Sequence, residues 1–129
     1  MDSALSMQGA DYAIALGADE AGAPRLSLTG SITVRDPSEL NAFFDRVHGE
    51  LVSRGTRAVA VDVRELAFIN STGFKPIIYW VGLITESEEP AQYQVNVVGS
   101  GKRRWQTSFL SALSCFAPSL VRVETDPER

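Results

Sequence analysis

The sequence has 129 residues, of which 44% are hydrophobic, and this fits one domain with a single core. Its formal charge is −4 at pH 7, which argues against a nucleic-acid-binding protein and against attraction to an anionic membrane surface. The N-terminal residues do not resemble a signal peptide, and no apolar run approaches the ~20 residues of a membrane span. The single cysteine, Cys115, allows no intramolecular disulfide. We therefore expect a cytoplasmic protein.

The N-terminal part of the chain predicts a hairpin of two strands. A flexible tail is expected over residues 1–10, and residues 12–16 can form the first strand. Residues 17–24 are rich in Gly and Ala and indicate a turn. Residues 25–34 alternate apolar and polar side chains, as a half-buried strand does, so this strand is expected to pair with the first.

A first helix is predicted to follow this hairpin. Asp36 is a typical N-cap, Pro37 fits the first helical position, and Glu39 completes a capping-box pattern. Gly55 is typical of the C-terminal end. His48, the only histidine, stands beside the apolar face and is interpreted as a surface or boundary residue. The residues at helical spacing that define this face are Leu40, Phe43, Phe44, Val47 and Leu51.

The remaining elements alternate between strand and helix. Residues 58–63 are almost continuously apolar, which suits a central strand covered on both faces. A helix is predicted from about 74 to 85, a strand at 94–98, a third helix ended by Pro118, and a last strand at 120–123. Cys115 is expected to be a buried, small hydrophobic residue. The face of the third helix is predicted to contain Trp105, Phe109, Ala112, Leu113 and Phe116.

The resulting order is β-β-α-β-α-β-α-β. It predicts the α/β fold class, with one mixed sheet packed against helices. The domain is expected to span residues 11–125, followed by a C-terminal tail at 126–129.

A polar turn follows the short β-rich run that begins at residue 61, and the second helix comes after it. Its sequence is Asn70-Ser71-Thr72-Gly73, which places two hydroxyls beside the free N–H groups of a helix N-terminus. Because such a position stabilises negative charge, the turn suggests a phosphorylatable residue. Ser71 is the first choice and Thr72 the second.

Two residues after this turn bear on its chemistry. Pro76 has no N–H to donate, so we expect it in the first helical turn, with the cap near Thr72 or Gly73. Lys75 is then close to the hydroxyls. It either neutralises a phosphate on Ser71, contacts an acidic partner, or is simply solvated.

The second helix offers a candidate contact face. Trp80 and Leu83 lie off its predicted apolar stripe, and Tyr79 lies on another side. Exposed aromatic residues beside a functional turn indicate a partner-binding surface, to which Phe74 also belongs, unless the first or third helix covers them. The predicted buried stripe consists of Phe74, Ile77, Ile78, Val81 and Ile84.

Other motifs point away from catalysis. Gly99-Ser100-Gly101-Lys102 lacks the full spacing of a phosphate-binding loop and is interpreted as a turn into the third helix. Lys102-Arg103-Arg104 is a local basic cluster, either solvated or facing an acidic partner. Ser71 has no predictable His–Asp partners, so no enzyme activity, metal or cofactor is expected.

The segment Phe68-Ile69-Asn70-Ser71-Thr72-Gly73-Phe74, with the order of elements, resembles the STAS domain of sulfate transporters and anti-sigma-factor antagonists. The resemblance extends over about residues 12–124. In that family a strand ending in Asp is followed by Ser-Ser-Gly or Ser-Thr-Gly. In this chain Asn70 stands where the family usually has Asp.

The resemblance implies a function. In anti-sigma-factor antagonists a partner kinase, itself the anti-sigma factor, phosphorylates the serine after the Asp and then releases the antagonist. Carried to this chain, the phosphoacceptor is Ser71, and the switch turn is formed by Asn70, Thr72, Gly73 and Lys75. Asn keeps the capping ability of Asp but lacks its charge, so binding without phosphorylation also stays open.

The leading hypothesis is a non-enzymatic regulatory module for partner switching. Its partner is expected to be a serine kinase of the anti-sigma type or another STAS-like chain, and a homodimer is possible. The alternative is a constitutive structural subunit of a stress-sensing assembly or of a transporter complex. Neither hypothesis involves nucleic acid or membrane insertion.

Overall fold

The computed structural model describes residues 5–127, and these form one sheet of seven strands and three α-helices. The predicted α/β fold class is confirmed. Two strands, β1 and β5, were not predicted. The elements in chain order are β1 Ser6–Gln8, β2 Tyr12–Ala18, β3 Pro24–Ile32, α1 Ser38–Ser53, β4 Ala58–Asp62, β5 Leu66–Ile69, α2 Ser71–Glu86, β6 Gln94–Ser100, α3 Gln106–Phe116 and β7 Val121–Asp126.

The sheet is mixed, with the order β1-β2-β3-β4-β6-β7. The first three strands are antiparallel neighbours, which confirms the predicted hairpin of β2 and β3. From β3 onward every pairing is parallel. The parallel part therefore brings the carboxyl ends of β3, β4, β6 and β7 to one edge of the sheet.

Strands β4 and β5 pair with successive parts of one strand, β3. Residues 25–27 of β3 pair with β4, whereas residues 30–32 pair with β5, and the register shifts between Gly30 and Ser31. Gly30 has φ +86°, and a Cβ there would overlap the carbonyl oxygen of Asp11. Only glycine fits this bulge, and the bulge lets β5 continue along β3 to the edge where α2 begins.

The sheet is covered on one face, and the expectation that residues 58–63 are covered on both faces is wrong. Val59 and Val61 point into the core and are buried, whereas Ala60 and Asp62 lie half-buried on the opposite face. The same alternation occurs in β3 and β6. The small side chain of alanine made this strand look apolar on both sides, although one side meets solvent.

Trp80 belongs to the core, so its predicted place on a partner-binding surface is wrong. Its side chain is 1% exposed, and its ring stacks on Phe44 of α1 with the centroids 5.4 Å apart. The indole Nε1 donates to the Tyr93 hydroxyl at 2.9 Å. Helix α2 is thus rotated further toward α1 than its apolar spacing predicts, and α1 provides the cover.

A chain of hydrogen bonds extends from Trp80 across the seam between α1 and α2. The Ser87 hydroxyl donates to the Leu83 carbonyl at 2.8 Å, so it can only accept from His48 Nε2 at 3.3 Å. His48 Nδ1 then accepts from the Tyr93 hydroxyl at 2.8 Å. This arrangement requires a neutral imidazole, and burial lowers the pKa of His48. His48 is half-buried, a boundary residue as predicted.

The buried face of α3 also differs from the prediction. Cys115 is exposed, and Phe116 is 50% exposed, because both lie away from the stripe that faces the sheet. Ala112 is exposed for the same reason, and Trp105 is only partly buried. The buried residues of the helix are Gln106, Phe109, Leu110 and Leu113.

Parts of both predicted tails belong to the sheet, and the first cap differs from the prediction. Residues 6–8 pair with β2, and Asp126 pairs with Ser100 at the end of β7. The rest of each tail, residues 1–4 and 128–129, lies outside the described residues. At α1 the N-cap is Pro37 without a side-chain cap, while the Asp36 carboxylate accepts from the Ser38 amide at 2.9 Å, so the predicted cap at Asp36 and its capping box with Glu39 are wrong.

Candidate functional site

The polar turn lies at the carboxyl edge of the parallel strands. β5 ends at Ile69, and α2 begins two residues later at Ser71, with Asn70 between them. The backbone N–H of Asn70 donates to the Ile32 carbonyl at 2.9 Å, which fixes the turn to the end of β3. Loops at this edge are where α/β folds place their functional groups.

Asn70 holds the turn with both atoms of its side-chain amide. Its Oδ1 accepts from the Gly73 N–H at 2.8 Å and caps α2, while its Nδ2 donates to the Val34 carbonyl at 2.9 Å. The cap is therefore Asn70, and the predicted cap near Thr72 or Gly73 is wrong. Pro76 accordingly lies inside the helix, in its second turn, so the Thr72 carbonyl lacks the usual donor four residues later.

Gly73 is needed for close packing rather than for an unusual φ angle. A Cβ at this position would come within 2.7 Å of the Ile32 Cγ2 atom and 3.1 Å of Asn70 Oδ1. Glycine thus allows the first turn of α2 to pack directly on the end of β3. This close packing explains why the predicted switch turn contains glycine at position 73.

Ser71 is exposed at the first position of α2, and Thr72 beside it is half-buried. Within residues 5–127 the Ser71 hydroxyl has no hydrogen-bond partner. The first intrahelical bond from this turn is the one from the Phe74 N–H to the Asn70 carbonyl. The amides of Ser71 and Thr72 therefore point out of the helix end, where they favour negative charge. Lys75 is exposed one helical turn further on.

Four aromatic rings form a continuous cluster beside Ser71. Trp105 lies 6.3 Å from Phe68 and 5.6 Å from Phe109, and Phe109 lies 5.3 Å from Phe74, measured between ring centroids. Phe68 is 48% exposed, and Phe74 and Trp105 are partly buried. We call Phe68, Phe74 and Trp105 the aromatic patch. Phe74 follows Ser71 by three residues and so shares its side of α2, and Phe68 precedes Ser71 by three residues near the end of β5.

Sequence analysis found only Phe74 of this patch. Trp105 was assigned to the buried face of α3, and Phe68 was not singled out at all. Only the two end residues of β5 are buried, so the sequence pattern carried no alternation that would have marked Phe68 as exposed.

The other predicted contact residues lie apart from the patch. Tyr79 is 40% exposed and donates its hydroxyl to the Asp45 carboxylate of α1 at 2.6 Å. This hydrogen bond raises the pKa of Tyr79. Leu83 is half-buried and Trp80 is buried. Helix α2 therefore presents its N-terminal end, rather than its whole length, beside the turn.

Gln106 supports the segment that leads into the site. It is fully buried, and its Nε2 donates to the carbonyls of Val63 and Leu66 at 2.8 and 3.0 Å, while its Oε1 accepts from the Ser100 amide at 2.8 Å. Val63 follows β4, Leu66 begins β5 and Ser100 ends β6, so Gln106 joins the β4–β5 connection to the end of β6. Sequence analysis missed Gln106, since a polar residue in an apolar helix carries no local sign of its distant partners.

An ion cluster lies at the same edge, on the open face of the sheet. The Arg64 guanidinium contacts Asp62 at 2.9 Å and Asp126 at 3.1 Å. Partial burial acts to raise the pKa of Asp62, but hydrogen bonds and charge from Arg64 outweigh it, so the pKa lies below its usual value. The cluster fastens the end of β7 to the loop after β4.

Within residues 5–127 no helix is long and apolar enough to cross a membrane. The same part of the chain holds no group of three His, Cys, Asp or Glu side chains suited to a metal ion. No protein-family model and no curated protein sequence matches the chain.

Solved structures do match. SiaC of Pseudomonas aeruginosa superposes with a TM-score of 0.66 at 19% identity, over 97% of this chain and 100% of that chain. An anti-sigma factor antagonist from Mycobacterium paratuberculosis gives a TM-score of 0.56 at 18% identity, over 90% of each chain. The chain has the STAS-like fold of anti-sigma-factor antagonists.

An uncharacterized protein from Shewanella loihica with a SpoIIAA-like fold also matches the STAS-like chain, with a TM-score of 0.54 at 14% identity. The match covers 99% of this chain and 94% of that one. At these identities the likeness concerns the fold. The position of the turn in the STAS-like fold, at the carboxyl edge of β5, comes from the chain's own geometry.

Proposed function

We propose that the chain is a non-enzymatic regulatory module. It binds a protein partner, a serine kinase of the anti-sigma type, through the aromatic patch and the first turn of α2. Phosphorylation of Ser71 by that partner ends the binding. The STAS-like fold supports the regulatory role, and the surroundings of Ser71 support the choice of residue.

One observation carries the proposal. The Ser71 hydroxyl is exposed and unengaged at a helix N-terminus, and the exposed ring of Phe68 and the half-buried ring of Phe74 lie on either side of it in the sequence. A kinase can therefore reach the hydroxyl while its own apolar side chains cover the rings. Aromatic residues of this kind often contribute most of the binding energy of an interface.

Phosphorylation changes both the charge and the hydration of this surface. The Ser71 oxygen forms a bond to the γ-phosphorus of ATP, the bond to ADP breaks, and the hydroxyl proton passes to a base on the kinase. The product carries about −1.5 to −2 charge, which the amides of Ser71 and Thr72 and the Lys75 ammonium stabilise in the free protein. Burying that charge against an apolar partner is unfavourable, so the complex dissociates.

Asn70 does not weaken this proposal. Its Nδ2 donates to the Val34 carbonyl, and an ionised Asp has no hydrogen to donate there. The Asn in place of the family's usual Asp therefore has a local structural reason in this chain. Trp80 is buried, so it offers no contact surface to a constitutive structural assembly either.

The test compares four baits in a lysate of the source organism: wild type, Ser71→Asp, Ser71→Ala and Ser119→Asp. Ser119 is exposed before β7, at the opposite end of the parallel strands, and provides a charge-matched control. We expect wild type, Ser71→Ala and Ser119→Asp to capture the same kinase, and Ser71→Asp to lose it. The captured kinase should transfer labelled phosphate to wild type and not to Ser71→Ala.

Two results contradict the proposal. Equal capture by wild type and a folded Ser71→Asp variant excludes phospho-control and favours a constitutive structural subunit. Labelling of Ser71→Ala at the wild-type rate moves the acceptor to another residue, with Thr72 the first to examine.

A further inference from the structure

A basic shoulder adjoins the aromatic patch. Lys102 and Arg104 are exposed in the loop between β6 and α3, directly before Trp105. Arg103 between them is half-buried, and its Nε donates to the Arg64 carbonyl at 3.1 Å. We use the name basic shoulder for Lys102, Arg103 and Arg104.

Nothing within the described residues neutralises the two exposed cations of this shoulder. Neither Lys102 nor Arg104 forms an ion pair in residues 5–127, although the whole chain carries more acidic than basic residues. Both precede a helix N-terminus, where a cation opposes the helix dipole. The cluster is thus unfavourable for the isolated fold, and a partner with negative charge would remove the penalty.

Trp105 follows the basic shoulder in the sequence and belongs to the aromatic patch, and its indole N–H lacks a hydrogen-bond acceptor within residues 5–127. Its ring packs between Phe68 and Phe109, yet its Nε1 is buried without an acceptor among the described residues. If the Trp105 ring rotates so that its N–H meets an acceptor on a partner, no existing hydrogen bond is broken. A buried donor without a partner is uncommon in folded proteins and calls for an explanation.

We infer that the shoulder and the patch together dock an acidic segment of the partner protein, one in which carboxylates flank an apolar side chain. The apolar side chain covers Phe68, the carboxylates face Lys102 and Arg104, and Trp105 lies between them. Charge complementarity of this kind governs partner choice and association rate more than affinity. The inference rests on the proposed function, since it specifies the chemistry of the same partner.

Two other occupants fit the observations less well. Nucleic acid also binds basic and aromatic surfaces, but the chain is acidic overall and the shoulder is small. A second copy would have to offer its own acidic stretch, such as Glu86, Glu88 and Glu89, and this would join two different surfaces in an open series.

The test uses defined peptides and the two tryptophan indole signals in a nitrogen-15 NMR spectrum. The probe is Glu-Glu-Leu-Glu-Phe-Glu, with Glu-Glu-Ser-Glu-Ser-Glu as the peptide of equal charge without apolar residues. The Trp105 N–H is the reporter. The Trp80 N–H, which is bonded to Tyr93, is the internal control.

We expect the apolar acidic peptide to shift the Trp105 signal with a dissociation constant near 1 mM, and to leave Trp80 unchanged. Binding should weaken severalfold when salt rises from about 50 to about 300 mM. The double variant Lys102→Glu/Arg104→Glu should lose the shift. The control Arg57→Glu/Arg122→Glu, which has the same change in charge at exposed sites elsewhere, should keep it.

The inference is overturned if the peptide leaves Trp105 unchanged at about 5 mM, or if both double variants behave alike. If the Trp105 signal shifts with protein concentration in the absence of peptide, the surface binds a second copy of the chain. If a single-stranded RNA oligomer shifts the Trp105 signal more strongly than the peptide does, the surface binds nucleic acid. Ser71→Ala should not affect the peptide shift. A result that excludes control by phosphorylation at Ser71 can therefore be told apart from a result that excludes docking at the basic shoulder.

Discussion

Replacement of Asn70 should lower the stability of the fold in a graded way. Asn70→Ala removes the α2 cap, which contributes about 1 kcal/mol, and the hydrogen bond to the Val34 carbonyl, which contributes about 1 kcal/mol more. We therefore expect a loss of about 2 kcal/mol. Asn70→Ser retains a capping oxygen and loses only the second bond, so its loss should be about 1 kcal/mol.

Asn70→Asp separates the two roles of this side chain. The carboxylate still accepts from the Gly73 N–H and interacts favourably with the helix N-terminus, which contributes about 0.3–1 kcal/mol. Its other oxygen faces the Val34 carbonyl, acceptor against acceptor, and the bond is lost. We expect Asn70→Asp to be about 1 kcal/mol less stable than wild type, although Asp and Asn are equally good N-caps.

Urea unfolding followed by circular dichroism measures these differences. With a slope of about 2 kcal/mol/M, the midpoint should fall by about 1 M for Asn70→Ala and by about half that for the other two variants. Asn41→Ala is the control, because the Asn41 side chain makes no hydrogen bond within residues 5–127, and its midpoint should change little. An Asn70→Asp variant as stable as wild type, or an Asn70→Ala loss below about 0.5 kcal/mol, would refute the reasoning.

Three further predictions concern the packing around the site and the α1–α2 seam. Gly73→Ala should lower the unfolding free energy by about 1–3 kcal/mol, because its methyl group meets Ile32, whereas Gly82→Ala, with open space around it, should not; equal midpoints in urea would contradict this. Gln106→Leu should lower stability by about 2 kcal/mol or more, since it removes three hydrogen bonds to buried backbone groups, and a variant as stable as wild type in the same assay would contradict this. The pKa of His48 is lowered in the folded state, so the stability that its neutral form contributes is complete above about pH 6.5 and is lost as the pH falls below that value. His48→Leu should reduce the slope of unfolding free energy between about pH 7 and pH 5, and an unchanged slope would exclude His48 as its source.

Local patterns identified the elements that bury an apolar stripe and the turn that presents the hydroxyls. The spacing of Leu40 to Leu51 defined α1, and the cluster of small polar residues at 70–73 defined the site, because both signals lie within a few residues. Strand β5 was missed since only its two end residues are buried, and this does not follow the alternation of a strand. Strand β1 has three residues, too few for any period.

Contacts between distant residues decided the rest of the site. The bond from Asn70 to Val34 spans 36 residues, and the hydrogen bonds of Gln106 to the β4–β5 connection span about 40. Trp80 is buried because Phe44 covers it, which periodicity within α2 does not reveal. The capping strength of Asn70 also outweighs the preference of Pro76 for the first helical turn.

The measurement that tests the central claim most directly is the affinity of the purified partner for wild type, Ser71→Asp and Ser119→Asp, determined by isothermal titration calorimetry. The account predicts that Ser71→Asp binds at least about tenfold more weakly, a difference of about 1.4 kcal/mol, while Ser119→Asp stays within about twofold of wild type. Equal affinities of wild type and a folded Ser71→Asp variant would contradict control of binding by charge at Ser71.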